Sequence, residues 1–142
     1  MAKTDTFHCS VITPERVVLE CDAKFVAFPA HDGEIGVLSH RAPLVCRMGI
    51  GELRIDATGD DAKGGRSHRM FVDGGFAQVV ENRLTLLTEQ AEDASRLDAS
   101  AAQQAMVEAR AMKIPDDAAY GARSKAIRRA QVQLRLARSR AR

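Results

Sequence analysis

The apolar periodicity of this sequence changes near residue 89, and that change limits the fold more than any other feature. Up to residue 88, apolar and polar residues alternate in short runs separated by turn chemistry. Beyond residue 89, glycine nearly vanishes and alanine takes over. A period of two is that of a strand with one buried face, and a period near 3.6 is that of a helix. In the first part, Phe7, Cys9 and Val11 alternate with Thr6, His8 and Ser10 until Thr13-Pro14-Glu15-Arg16 interrupts them. Val17-Val18-Leu19 and the run from Lys24 to Phe28 each have the length of a strand. Leu53, Ile55 and Ala57 alternate with Glu52, Arg54 and Asp56, and residues 58–65 read as a polar hairpin loop. Met70-Phe71-Val72, the run from Phe76 to Val80 and the run from Leu84 to Leu87 are joined by Asp73-Gly74-Gly75 and Glu81-Asn82-Arg83. Asp-Gly and Asn supply the positive φ angles that tight hairpins demand. The expectation is an all-β sandwich or flattened barrel of about ten short strands over residues 1–89.

Residues 90–142 are expected to form an antiparallel α-helical hairpin. Leu97, Ala101, Ala105 and Met112 fall at helical spacing, with Ser95 or Asp98 as the N-cap. Pro115 cannot continue a helix but suits the first turn of a second one, which should run to about Arg140. On that second helix Ile127, Ala130, Leu134, Ala137 and Ala141 make a 3-4-3-4 ladder. Alanine buries little area, so the hairpin should be weakly held and suited to movement.

Charge is distributed as unevenly as periodicity. Eight basic residues and no acidic one lie between Ala118 and Arg142, whereas residues 1–117 carry 13 basic against 19 acidic groups, a net of −6. An acidic body with a basic tail suits an acidic partner. Nucleic acid fits less well, since aromatics are 4% of the chain and the body would repel a polyanion. No apolar run reaches the ~20 residues of a membrane span, and the N-terminus does not resemble a signal or transit peptide. No direct membrane insertion is expected.

Catalytic and metal chemistry find little support. Cys9, Cys21 and Cys46 form no CxxC pair and read as reduced, mostly buried thiols. His8 and Cys9 are strand neighbours that point to opposite faces, and His31 and His40 lack ligand spacing. There is no Gly-x-Ser-x-Gly elbow and no complete phosphate-binding glycine loop. A non-catalytic protein without a metal or other cofactor is expected.

The stretch Gly33-Glu34-Ile35-Gly36-Val37-Leu38, followed by Ala42-Pro43-Leu44, resembles the "GExGI…HxPL" signature of the epsilon subunit of F-type ATP synthases. Phe71-Val72-Asp73-Gly74-Gly75-Phe76-Ala77-Gln78-Val79 is similar to that family's "V-x-GGF-x-x-V", and the continuation from Asn82 through Ala91-Glu92 matches as well. The resemblance implies a central-stalk rotor subunit. Its β domain would bind the gamma subunit and the c-ring, and its helices would fold back or extend to obstruct ATP hydrolysis. It makes residues 29–44 a shaped loop for a partner, with Gly33 and Gly36 permitting tight turns. His31, Asp32, Glu34 and Arg41 become candidates for c-ring or rotor contact. Arg123, Arg128, Arg129 and Arg135 become candidates for inhibitory contact with acidic loops of the beta and alpha subunits.

Two departures qualify the resemblance. Arg41 stands where the family usually has histidine. Leu97-Asp98-Ala99-Ser100-Ala101-Ala102 keeps the aspartate of a motif through which some bacterial members bind ATP, but places Ala101 at its arginine. Losing that bidentate phosphate partner leaves Asp98 as the remaining candidate, and no ATP-held state is expected. The implied location is peripheral, on the cytoplasmic face of a bacterial inner membrane. The alternative is a free-standing module whose basic C-terminal helix binds an acidic protein or nucleic acid.

Overall fold

The computed structural model describes residues 5–58 and 66–140, without the side chains of Arg66 and Arg140. Most of the loop expected at 58–65 and the ladder rung at Ala141 lie outside the described residues. The chain divides into two compact units, Met1–Ala91 and Glu92–Arg142.

The described strands are β1 (Phe7–Ile12), β2 (Val17–Ala30), β3 (Gly33–Leu38), β4 (Leu44–Arg47), β5 (Ile50–Ala57), β6 (Arg66–Asp73), β7 (Phe76–Val80), β8 (Arg83–Leu87) and β9 (Ala91–Asp93). They are ordered β4-β7-β8-β1-β2-β5-β6-β9, with β3 also paired to β2. Val17-Val18-Leu19 and residues 24–28, expected as two strands, belong to one strand of 14 residues. Glu20-Cys21-Asp22-Ala23 between them contains no glycine or proline, and β1 pairs along it from Val17 to Ala23. Beyond Ala23 the register shifts, and β2 pairs with β5 on one edge and β3 on the other. Phe25 to Ala27 take part in both pairings, so β3 and β5 must lie on opposite edges. Spanning roughly 45 Å at ~3.3 Å per residue, β2 serves two layers, β4-β7-β8-β1-β2 and β3-β2-β5-β6-β9. Among the described residues nine strands build the sandwich, in keeping with the expected number of about ten.

The core lies between these layers. Phe7, Cys9 and Val11 of β1, Val26 and Phe28 of β2, Leu53 and Ile55 of β5, Met70 and Val72 of β6, and Leu84 and Leu86 of β8 belong to one buried cluster. Strand alternation selects them: in β5, Gly51, Leu53, Ile55 and Ala57 are buried while Arg54 and Asp56 are exposed.

The glycine-rich stretches need correction in two places. Residues 29–44 are mainly a hairpin rather than a loop, in which β2 turns at His31-Asp32 into β3. Gly33 leaves this turn at φ +155°, but Gly36 sits mid-strand with ordinary φ. Its hydrogen matters because a Cβ there would lie 3.0 Å from the Phe25 ring. Asp73-Gly74-Gly75 also departs from expectation. Gly74 and Gly75 do adopt positive φ, +67° and +100°, yet β6 and β7 do not pair, and the segment carries the chain from one layer to the other. Glu81 and Asn82, at φ +49° and +61°, do close the β7–β8 hairpin expected there.

The second unit contains a 3₁₀ turn (Ala94–Arg96), α1 (Ala99–Arg110) and α2 (Asp117–Arg140). Asp98 caps α1, its Oδ1 accepting from the Ser100 amide at 3.0 Å. Pro115 precedes α2 instead of entering its first turn, and Asp116 Oδ1 accepts from the Ala119 amide at 2.8 Å. The apolar face of α1 differs from the expected one. Ala102, Met106 and Ala109 are buried, Ala101 is exposed, Ala105 is half-buried, and Met112 falls outside the helix. On α2, Ala130 and Ala137 are buried as expected, but Val132 and Leu136 are buried too, while Ile127 and Leu134 are half-buried. Within this unit α2 packs against α1 and the 3₁₀ turn. Among the described residues, no helix is long and apolar enough to cross a membrane.

Candidate functional site

The residues proposed for partner contact do not form one cluster. His31 and Asp32 occupy the β2–β3 turn, and Glu34 begins β3. Arg41 follows the other end of that strand, which spans roughly 20 Å. The return strand β4 brings the His31 amide within 3.1 Å of the Arg47 carbonyl. Cys46 on β4 senses both ends: burial pushes its thiol upward, Arg41 opposes that shift and Asp32 reinforces it.

Glu34 is engaged within the β unit. Its Oε1 accepts from Arg54 Nη2 at 3.2 Å, Arg54 Nε lies 3.5 Å from Glu52 Oε1, and Glu52 Oε2 accepts from Arg69 Nε at 3.2 Å. This chain crosses the outer face of β3, β5 and β6. The Glu34–Arg54 pair is exposed and contributes about 0–1 kcal/mol, so it orients Glu34 without anchoring the fold. A hollow of about 310 Å³ beside them is lined by Phe25, Glu52, Arg54, Asp56, Ser67 and Arg69. Among these, Arg54 and Arg69 pair with Glu52, and Asp56 Oδ1 accepts from the Ser67 hydroxyl at 3.2 Å.

In the other layer, the outward face carries a surface that sequence reasoning missed. Phe76 pairs with Leu87, Leu87 with Ile12, and Ile12 with Val17, so four apolar side chains from β7, β8, β1 and β2 form one row. Phe76 is 54% exposed, Leu87 48% and Val17 52%. Isolated exposed apolar residues are ordinary, but a contiguous row marks an interaction face. The available signal was the alternation of β7, where Phe76, Gln78 and Val80 are outward and Ala77 and Val79 are buried. The same face turns polar two residues further along. Ser10 and its register partner Glu20 stand there, and His8 and Asp22 follow two residues beyond, His8 Nε2 lying 3.3 Å from Glu20 Oε1 and His8 Nδ1 3.5 Å from Asp22 Oδ1.

Cys9 and Cys21 are register partners on β1 and β2. Burial, reinforced by Cys21, raises the Cys9 thiol well above its ordinary range, so it stays a neutral core residue. Cys21 and Cys46 are half-buried, and all three cysteines are free. Among the described residues no three His, Cys, Asp or Glu side chains are grouped as metal ligands.

The basic candidates on α2 separate into two sets. Arg128 and Arg135, seven residues and two turns apart, share one exposed face with Arg138 close by. Arg123 and Arg129 are half-buried on other sides. Arg123 Nη2 donates to the Arg110 carbonyl at 3.2 Å, joining α2 to the C-terminus of α1 where a cation is favoured. Asp98 is occupied by its capping bond.

Residues 6–94 match the family described as ATP synthase, Delta/Epsilon chain, beta-sandwich domain. The ATP synthase epsilon chain of Rhodopirellula baltica is 39% identical over 133 residues, covering 94% of this chain and 99% of that protein. The ATP synthase epsilon chain of Syntrophomonas wolfei is 34% identical over 138 residues, covering 96% and 91%. Among solved structures, a chain of the Euglena gracilis mitochondrial ATP synthase shares the fold with a TM-score of 0.75 at 22% identity, over 89% of this chain and 78% of that one. A chain from the Tetrahymena thermophila mitochondrial ATP synthase central stalk and c-ring does so with a TM-score of 0.73 at 13% identity, over 92% and 95%. From the family match through its β unit and the near full-length relatives, this chain belongs to the epsilon-chain family of ATP synthases.

Proposed function

We propose that this protein is a non-catalytic central-stalk subunit of an F-type ATP synthase. It couples proton translocation to ATP synthesis through its β unit and restrains ATP hydrolysis through its helical unit. The observation that carries this reading is the apolar row Phe76, Leu87, Ile12 and Val17, because a sheet face of this kind is completed by another protein. The gamma subunit is the partner assigned to it. The edge bearing His31, Asp32, Glu34 and Arg41 is assigned to the c-ring, where mixed charge suits polar loops. Arg128 and Arg135 meet acidic loops of the beta and alpha subunits when the helices extend. As a rotor component the chain lies peripherally at the cytoplasmic face of a bacterial inner membrane, and its location follows from the assembly.

Two full-length variants test this assignment. Phe76 is more than half exposed, so Phe76→Asp should leave the fold intact and weaken gamma binding about 30-fold, matching ~2 kcal/mol for a buried aromatic contact. Arg128→Ala with Arg135→Ala should preserve that binding and raise ATP hydrolysis by the assembled enzyme. Unchanged gamma affinity in the first variant would refute the apolar docking face. Unchanged hydrolysis in the second would make the basic face merely solvated.

A further inference from the structure

We propose that Asn82 is a positioning residue for the β3–β4 loop, holding the segment that carries Arg41 in the shape that meets the rotor. This inference rests on the reading of Arg41 as a rotor contact. It begins with the turn itself. Glu81 and Asn82 form a two-residue hairpin with positive φ at both positions, +49° and +61°, a conformation asparagine tolerates better than most residues. In this conformation Asn82 directs its side chain away from its own hairpin and toward two segments distant in sequence. Oδ1 accepts from the His40 amide at 2.7 Å, and Nδ2 donates to the Thr6 carbonyl at 2.8 Å. The Asn82 backbone carbonyl also accepts from the His8 amide at 3.2 Å. One residue thereby joins the entry to β1, the β7–β8 turn and the middle of the loop between β3 and β4.

The orientation of the amide is dictated by chemistry. Reversing it would set an NH₂ group against the His40 N–H and an oxygen against the Thr6 carbonyl, losing both bonds. His40 has φ +61°, an unusual value for a non-glycine residue. The Asn82 bond is placed at that residue, immediately before Arg41, whose Nη1 donates locally to the Ala42 carbonyl at 3.2 Å. Arg41 is exposed and belongs to the segment whose histidine the family resemblance found replaced. Its reach toward a partner therefore depends on backbone held from outside its own loop.

Two substitutions separate the turn from the tether. Asn82→Gly keeps the positive-φ turn and removes both side-chain bonds. Asn82→Asp also keeps the turn, but sets a carboxylate oxygen against the Thr6 carbonyl, the opposition that fixes the amide orientation, and so disrupts the same tether. In the full-length chain, amide exchange at His40 should accelerate roughly threefold to tenfold in Asn82→Gly, the range for one net hydrogen bond, and should also accelerate in Asn82→Asp, while exchange at buried Leu53 stays near wild type in both. Affinity for a gamma–c-ring complex should fall in Asn82→Gly and in Asn82→Asp as it does in Arg41→Ala. Unchanged His40 exchange in Asn82→Gly, or exchange at Leu53 accelerating as much as at His40, would overturn the positioning role. Faster His40 exchange with Arg41→Ala binding normally would instead overturn the loop as a rotor contact, and with it the functional part of the proposal.

Discussion

Replacing Gly75 by alanine should cost far more stability than making the same change at its neighbour Gly74, although both have positive φ. At Gly74, φ +67° lies in the left-handed region, and a Cβ would meet only the Met48 carbonyl at 3.9 Å. Its cost is then backbone strain alone, about 1 kcal/mol. At Gly75, φ +100° is further from what an L-residue accepts, and a Cβ would lie 1.8 Å from the Leu87 carbonyl oxygen and 2.8 Å from Thr88 Cα. Backbone atoms cannot rotate away as a side chain would, so the Leu87–Thr88 segment must move by more than 1 Å to reach ordinary van der Waals separation. That segment is tied down by the Thr88 amide bond to the Ile12 carbonyl at 2.9 Å and by Thr88 Oγ1, which accepts from the Asp73 amide at 3.1 Å. Strain of about 1–3 kcal/mol and the weakening of two bonds at ~0.5–1.5 kcal/mol each give roughly 2–6 kcal/mol. This is a large share of the ~5–15 kcal/mol that holds a typical domain. Urea unfolding of the full-length variants, followed by far-ultraviolet circular dichroism, measures both. If Gly75→Ala fell within 1 kcal/mol of Gly74→Ala, the close approach of β8 to this turn would be refuted as the reason for the second glycine.

Asp98→Ala removes the N-cap of α1 and should cost about 1 kcal/mol, read as earlier thermal loss of helical signal. ATP should leave the melting temperature of both wild type and variant unchanged, since the arginine of the ATP motif is Ala101 here. Cys9 has a raised folded-state pKa, so its stabilising effect is complete below the ordinary thiol value near 9 and is lost as pH rises beyond it, when the unfolded chain ionises first. Denaturation between pH 8 and pH 11, limits chosen to bracket that value, should show a decline that is shallower in Cys9→Ala.

Local features of this chain were legible in its sequence because their causes are local. The alternation of β5, the positive-φ turn at Glu81-Asn82, the cap at Asp98 and the interruption around Pro115 each depend on a few adjacent residues. The helix faces were harder to read, since alanine occupies both the buried and the exposed sides of α1. Ala102 and Ala109 could be told from Ala101 only by which side α2 covers. Glycine was readable as an exception but not in its purpose. Gly36 clears space for Phe25 across a strand pair, and Gly75 makes room for a strand twelve residues away. The candidate site was the least legible part for the same reason. Its polar members were visible in one segment, which β3 then spread over its length. Its apolar row takes one residue from each of four strands, including the parallel pair of β1 and β8. A one-residue slip of β8 against β1 would turn Leu87 toward the core and Leu86 toward solvent. The row is therefore a property of three registers at once, and no window of sequence contains them together.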